Sequence, residues 1–119
     1  MMAVVLLITT LASLLLVLLG FLGLTERLPR NPWAGIRTPY TMQSDEHWFA
    51  THREGAAPMI FTGVAAFATG LAFLPFAFVG KVGDALAAVV VLAQAALILC
   101  GTLASWWVGT SRARRQLGA

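Results

Sequence analysis

Three long stretches without a charged residue divide the chain, and most polar residues lie between the first and the second. Each stretch is longer than the roughly 20 apolar residues that span the hydrocarbon core of a bilayer. We therefore predict an all-α membrane protein with three transmembrane helices, over about residues 2–24, 57–79 and 84–108. The uncharged stretches are Met1–Leu24, Gly55–Gly80 and Ala85–Ser111.

Composition agrees with this pattern. Of the 119 residues, 59% are hydrophobic and 11% are charged, whereas soluble domains carry about a quarter charged residues. We expect a single membrane domain over residues 1–119. The first apolar stretch exceeds the roughly 15 apolar residues of a secretory signal and has no basic residue before it, so we interpret it as a retained anchor. The single cysteine, Cys100, excludes an intrachain disulfide and is predicted to be a small core residue.

The polar segment Asn31–Gly55, called the signature loop below, holds most side chains that could support specific chemistry. It contains Arg37 and Arg53, three of the five acidic residues, both histidines and two of the four tryptophans. The apolar stretches contain one amide, Gln94, near the middle of the third. We expect this amide to hydrogen-bond between helices.

A helix start is predicted inside the signature loop. Ser44 can accept hydrogen bonds from free backbone amides, and the carboxylates of Asp45 and Glu46 favour the positive end of a helix. We predict a short amphipathic helix from Asp45 that lies at the membrane interface. Gly55 and Pro58 mark either a bend into the second membrane helix or its first turn.

The basic residues predict the orientation of the chain. With three spans, the first connection and the C-terminus share one side, which carries seven arginines against Lys81 and the α-amino group on the other. Positive residues favour the cytoplasmic side. We therefore predict a multipass protein of the cell membrane with its N-terminus outside and the signature loop inside. The net charge of +3 accompanies no nucleic-acid recognition module, so no nucleic-acid partner is expected.

The signature loop resembles a known family pattern. It has Asn31, then G-I-R-T-P-Y-T from Gly35, S-D-E from Ser44, Trp48, and T-H-R-E-G from Thr51. This resembles the loop N-x-x-x-G-I-R-T-P-W-T-x-x-S-x-x-x-W-x-x-T-H-R-x-G of the SdpI family of small bacterial integral membrane proteins. Tyr40 replaces the commoner tryptophan, and either ring suits a membrane interface.

The resemblance implies a role in binding. The named member of the family is an immunity protein that protects cells from their own secreted toxic peptide, and it relays the presence of the toxin by holding a transcriptional repressor at the membrane. It implies, as partners beside the lipid bilayer, a toxic peptide or a cytoplasmic regulator. No catalytic motif accompanies the loop, so no enzymatic activity is expected. The candidate binding residues are Asn31, Trp33, Gly35, Arg37, Thr38, Pro39, Tyr40, Ser44, Asp45, Glu46, Trp48, His52 and Arg53.

Three interpretations of the signature loop remain open from the residues alone. In the first, the loop only caps the helix bundle, with Arg37 paired to Asp45 or Glu46 and His52 bonded to nearby backbone. In the second, Arg37 and Arg53 bind an anionic group beneath Trp33, Tyr40 and Trp48. In the third, the loop forms a metal or catalytic site, for example from Ser44, Asp45 and His52.

The third interpretation is the weakest, and neither a metal nor a cofactor is expected. His47 and His52 are five residues apart and diverge by roughly 140° around a helix. We therefore favour a protein that binds a membrane-active peptide, a lipid or a protein partner. The alternatives are a small transporter or channel-like subunit and a membrane enzyme acting at the head groups. Small residues recur on all three spans, and we expect homo-oligomers.

Overall fold

The computed structural model describes residues 2–118, which form four α-helices joined by turns and one long irregular connection. The short helix begins at Asp45, as predicted, and Ser44 caps it by accepting a hydrogen bond from the backbone N–H of His47. A single 3₁₀ turn, Thr41–Gln43, precedes that cap. The helices are α1 (Met2–Leu24), α2 (Asp45–Glu54), α3 (Ala56–Phe78) and α4 (Asp84–Leu117).

Three of these helices, α1, α3 and α4, are long and apolar enough to cross a membrane. Their outward faces carry large apolar side chains such as Ile8, Phe61 and Leu92, which are 60%, 76% and 68% exposed. Water would make such faces costly, whereas lipid chains cover them. The chain is an all-α membrane protein, as the uncharged stretches predicted.

Small residues bring the three membrane helices close together. A β-carbon at Gly70 would collide with Thr10, and one at Gly101 would collide with Thr62. At Gly63 it would lie 2.8 Å from the Val17 side chain. The small-residue faces predicted on the spans therefore pack against each other within one chain.

Gln94 joins all three membrane helices, which confirms the expected hydrogen bonding. Its side chain is fully buried. Nε2 donates to Thr10 Oγ1 at 3.1 Å and to the Ala66 carbonyl at 3.0 Å. Oε1 accepts a hydrogen bond from the Thr9 hydroxyl. Each polar atom of the amide thus has a partner, as a buried amide requires.

The short helix differs from its predicted placement. Three close contacts join the α2–α3 segment to α4: Thr51 with Gly109, Gly55 with Ser105, and Thr62 with Gly101. The residue numbers rise from Thr51 to Thr62 while they fall along α4, so the two partners run in opposite directions. Therefore α2 and α3, separated only by Gly55, form one antiparallel partner of α4 between Gln94 and Gly109. Because small residues face each other here, α2 packs lengthwise on α4 and does not lie flat against the membrane.

The third membrane helix also continues beyond its predicted end near residue 108. α4 runs to Leu117 and includes Arg112, Arg114 and Arg115. Arginine is a good helix former, and the last turns gain contacts with α2.

Cys100 is exposed on the lipid-facing side of α4 rather than in the core.

Candidate functional site

The connection between α1 and α2, residues 25–44, is irregular but held firmly against the bundle. Trp48 of α2 is fully buried beneath it. The indole Nε1–H donates a 2.8 Å hydrogen bond to the Leu28 carbonyl. Trp48 thereby fixes the start of the connection to α2. Its buried ring also gives the irregular connection a large apolar surface to pack against.

His52 holds the middle of the same connection. Its Nε2 accepts the backbone N–H of Ile36 at 2.8 Å, and its Nδ1 lies 2.7 Å from the Trp48 carbonyl. A carbonyl can only accept, so Nδ1 carries the proton and the ring is neutral. Burial lowers the pKa of His52, although the bond to the Trp48 carbonyl opposes this shift. The predicted bond between His52 and backbone is confirmed.

Gly35 is required where the connection crosses His52. Its φ of +104° lies in the region that favours glycine. A β-carbon there would be 2.7 Å from His52 Nε2 and 3.0 Å from the Trp48 ring. The backbone can therefore approach these two rings only because residue 35 has no side chain.

Thr41 closes the next turn of the connection. Its side chain is fully buried. The hydroxyl donates to the Ile36 carbonyl at 2.7 Å and accepts the Thr38 N–H at 2.9 Å, while the Thr38 hydroxyl accepts the Thr41 N–H at 3.2 Å. These reciprocal bonds fix the backbone on both sides of Arg37 and Pro39.

The tip of the connection presents Trp33. Asn31 Oδ1 accepts the backbone N–H groups of Trp33 and Ala34, each at 2.8 Å. This side-chain turn leaves Trp33 87% exposed. Arg37 is exposed near the same tip and donates to the Pro32 carbonyl at 2.5 Å. The tip is thus ordered by hydrogen bonds while its two largest side chains point away from the bundle.

The arginine pairing differs from the sequence-based expectation. Arg37 does not pair with Asp45 or Glu46; Asp45 instead lies 3.3 Å from Arg30. Arg53 is paired with Glu26 at 2.5 Å. The Arg53 guanidinium also donates to Gln116 Oε1 at 2.9 Å. Nη1 and Nη2 of Arg53 therefore each already have a partner within the chain.

The anion site proposed from the sequence is therefore not assembled. Trp33 is exposed, whereas Tyr40 and Trp48 are buried at 5% and 0% exposure, so the three rings do not form one outward surface. Arg37 bonds to Pro32 next to Trp33, whereas Arg53 contacts Glu26 at the start of the connection and Gln116 of α4. Glu26 and Gln116 were missed because they meet at Arg53 only in the folded chain, and Arg30 was missed because the path of the connection brings it to Asp45.

Catalytic and metal-binding arrangements are likewise not brought together. Ser44 Oγ lies 2.6 Å from His47 Nδ1 and caps α2. Both ring nitrogens of His52 bond to backbone, and Asp45 pairs with Arg30. Within residues 2–118, no group of three histidine, cysteine, aspartate or glutamate side chains is placed to hold a metal ion.

Tyr40 connects the signature loop to the end of α4. Its hydroxyl donates to the Gly118 carbonyl at 3.1 Å. The Arg114 guanidinium lies 5.0 Å from the centre of the ring, within reach of a cation–π contact. Beside this contact is a cleft of about 480 Å³ between residues 38–40 and α4. The sequence identified Tyr40 but not its partners on α4.

Comparison with known proteins identifies one family. The model of the SdpI/YfhL protein family matches residues 27–108, which include the whole signature loop and most of the last two membrane helices. No curated protein and no solved structure matches the chain.

Proposed function

Because the chain belongs to the SdpI/YfhL protein family, we propose that it is a binding component of the immunity or signalling type. Its ligand is a membrane-active peptide, and its recognition surface is the tip of the connection, formed by Trp33 and Arg37. Binding sites are commonly formed by loops that a rigid scaffold positions.

One observation carries this proposal: an ordered loop leaves its largest side chain uncovered. Trp33 is 87% exposed, although the backbone that bears it is fixed by Asn31. A preordered tip loses little conformational entropy on binding. Tryptophan and arginine are also the side chains that most often dominate binding energies.

We also propose the orientation of this surface. All seven arginines lie at the end of the bundle that contains the connection and the C-terminal turns of α4, whereas Lys81 lies in the turn at the other end. Positive residues favour the cytoplasm. In this proposal the recognition tip is at the cytoplasmic head groups and the N-terminus is outside.

Cysteine labelling tests the orientation. In a Cys100→Ser background, Met42→Cys places a thiol in the connection and Gly83→Cys places one in the opposite turn. In intact cells, an impermeant maleimide should label the thiol at position 83 and not the one at position 42. Labelling only at position 42 would reverse the proposed topology.

Peptide sensitivity tests the function. Cells with and without the gene are exposed to graded concentrations of amphipathic membrane-permeabilising peptides. We expect the intact protein to raise the inhibitory concentration, and Trp33→Ala to remove most of that protection. Phe61→Ala, which removes a similarly exposed ring from α3, is the matched control and should protect fully.

The amount of each variant in the membrane is measured in parallel. Equal protection by Trp33→Ala at the normal protein level would reject the tip as the recognition surface. Equal sensitivity of cells with and without the gene would reject the immunity role.

A further inference from the structure

An amphiphilic cleft follows α4 from its membrane-spanning part to its arginines. The part nearer the arginines, about 480 Å³, is lined largely by apolar surface but also by Thr110 and Arg114, and is called the polar part below. The apolar part, about 390 Å³, is lined mainly by residues of α1, α3 and α4. Trp106 lines both parts, so they adjoin at this indole.

The apolar part is suited to a hydrocarbon chain. Leu16, Met59 and Leu103 contribute to its walls, and Ile36 of the connection lies at its end. The helices that supply these walls are those that cross the membrane. A chain lying there would replace contacts with bulk lipid by contacts with packed apolar side chains.

The polar part is suited to an anionic head group. Arg114 contacts the face of Tyr40, but no carboxylate of residues 2–118 lies within 4.0 Å of its guanidinium nitrogens; the ion pairs in that range are Arg30–Asp45 and Arg53–Glu26. A guanidinium offers planar donors that match phosphate oxygens.

A second polar atom supports the same occupant. The Thr110 hydroxyl is shielded from solvent and has no hydrogen-bond partner within residues 2–118. It lines the polar part of the cleft one turn before Arg114. Once the Thr110 side chain rotates toward the cleft, a phosphate at Arg114 would supply an acceptor for a hydroxyl that is otherwise costly to bury.

We propose that this cleft binds one anionic phospholipid, with its phosphate at Arg114 and Thr110 and one acyl chain in the part lined by Leu103. The occupant is a bilayer lipid because the polar and apolar parts follow each other along a membrane helix. The exposed Trp106 and Trp107 indoles are the side chains that favour the head-group level. This inference does not depend on peptide recognition by Trp33.

Spin-labelled lipids test the site in the full chain, reconstituted into phosphatidylcholine vesicles. Electron paramagnetic resonance gives the fraction of spin-labelled phosphatidylglycerol or phosphatidylcholine that the protein immobilises. We expect a preference for phosphatidylglycerol, and Arg114→Gln should reduce it roughly tenfold, as for the loss of one charge-assisted hydrogen bond. Arg115→Gln removes the same charge one residue along α4, at a side chain that does not line the polar part, and should reduce the preference by no more than the roughly fivefold that general attraction contributes per arginine.

A second pair of variants tests the acyl chain without changing charge. Leu103→Trp fills the apolar part and should also remove the preference. Leu99→Trp enlarges a leucine of similar exposure, 60% against 54%, that does not line the cleft, and it should keep the preference.

Several results would overturn the assignment. Equal losses with Arg114→Gln and Arg115→Gln would show a general attraction to basic residues, which amounts to roughly 1 kcal/mol or about fivefold per arginine. Equal immobilisation of both lipids by the unmodified chain would reject the assignment of the cleft to an anionic phospholipid. Retention of the preference by Leu103→Trp would place the acyl chain elsewhere.

Discussion

Two buried polar centres, at Gln94 and at His52, connect different parts of the molecule in different ways. Gln94 receives its partners from α1 and α3, where helix packing already fixes the positions of Thr10 and Ala66. His52 receives its main partner from Ile36, which belongs to no helix. Gln94 therefore adds hydrogen bonds between helices that are already packed. His52, in contrast, fixes a connection that has no regular structure of its own.

This difference separates stability from function. Loss of Gln94 should weaken the membrane core but leave the connection in place. Loss of the contacts at Trp48 and His52 should release the connection while the three membrane helices stay packed through their small residues. Four substitutions, taken from the largest expected effect to the smallest, test this separation.

Trp48→Ala should have the largest effect. Trp48 is fully buried and bonds to the Leu28 carbonyl, so its removal leaves a cavity and should cost about 3–5 kcal/mol of unfolding free energy. Reversible denaturation in detergent, followed by circular dichroism, measures this loss. Trp33→Ala, at an 87% exposed position, is the control and should change the free energy by less than about 0.5 kcal/mol. Equal losses would contradict the placement of the two rings.

Stability should fall as the pH falls below 6.5, the ordinary pKa of histidine. Burial lowers the pKa of His52 in the folded chain. Above pH 6.5 the imidazole of His52 is mainly neutral in both the folded and the unfolded chain. Below pH 6.5 the imidazole binds a proton in the unfolded chain, whereas burial keeps it neutral in the folded chain. The loss continues until the pH passes the folded pKa, at no more than about 1.4 kcal/mol per pH unit.

Denaturation of His52→Gln and His47→Gln at several pH values isolates this contribution. The His52 variant should lose the acid dependence that belongs to the buried ring, whereas the His47 variant should keep it. The same dependence in the unmodified protein and in His52→Gln would contradict a neutral His52 as the contact to Ile36.

Gln94→Leu should have a smaller effect, because a leucine of similar size fills the space and only the hydrogen bonds are lost. Hydrogen bonds between membrane helices contribute about 0.6–2 kcal/mol. The free energy of unfolding should fall by about that amount, while protease accessibility of the connection stays unchanged. Increased cleavage within residues 25–44 would show that the two centres are coupled.

Arg30→Gln should have the smallest effect. Its pair with Asp45 has side chains that are 36% and 68% exposed, and exposed ion pairs contribute about 0–1 kcal/mol. A change below about 0.5 kcal/mol in the same denaturation assay is expected. A loss as large as that of Trp48→Ala would mean that ion pairs, not the buried rings, hold the connection.

The spans and the helix start could be predicted because their signals are local. Uncharged stretches gave three membrane helices, and Ser44 followed by Asp45 marked the start of α2. The direction of α2 could not be predicted, because it depends on the fit between Gly55 and Ser105, residues 50 positions apart. The end of α4 was missed for a related reason: contacts with α2 continue that helix past the membrane.

The signature loop shows the same limit. Gly35 belongs to the family pattern, and its φ of +104° lies in a region that favours glycine. Arg37 was paired with the nearest carboxylates in sequence, but Asp45 pairs with Arg30. The partners of Arg53 are Glu26, at the start of the connection, and Gln116 of α4. Tyr40 contacts Arg114 of α4 and Gly118, which follows that helix. The local sequence indicated which residues of the signature loop form contacts, but it did not indicate their partners.

Hydrogen exchange at the Ile36 amide most directly tests whether the connection is an ordered surface. In the reconstituted protein at pH 7, this amide, bonded to His52, should exchange as slowly as the amides of α2, and His52→Ala should accelerate its exchange to the rate of an open chain. Exchange at that fast rate in the unmodified protein would contradict an ordered connection.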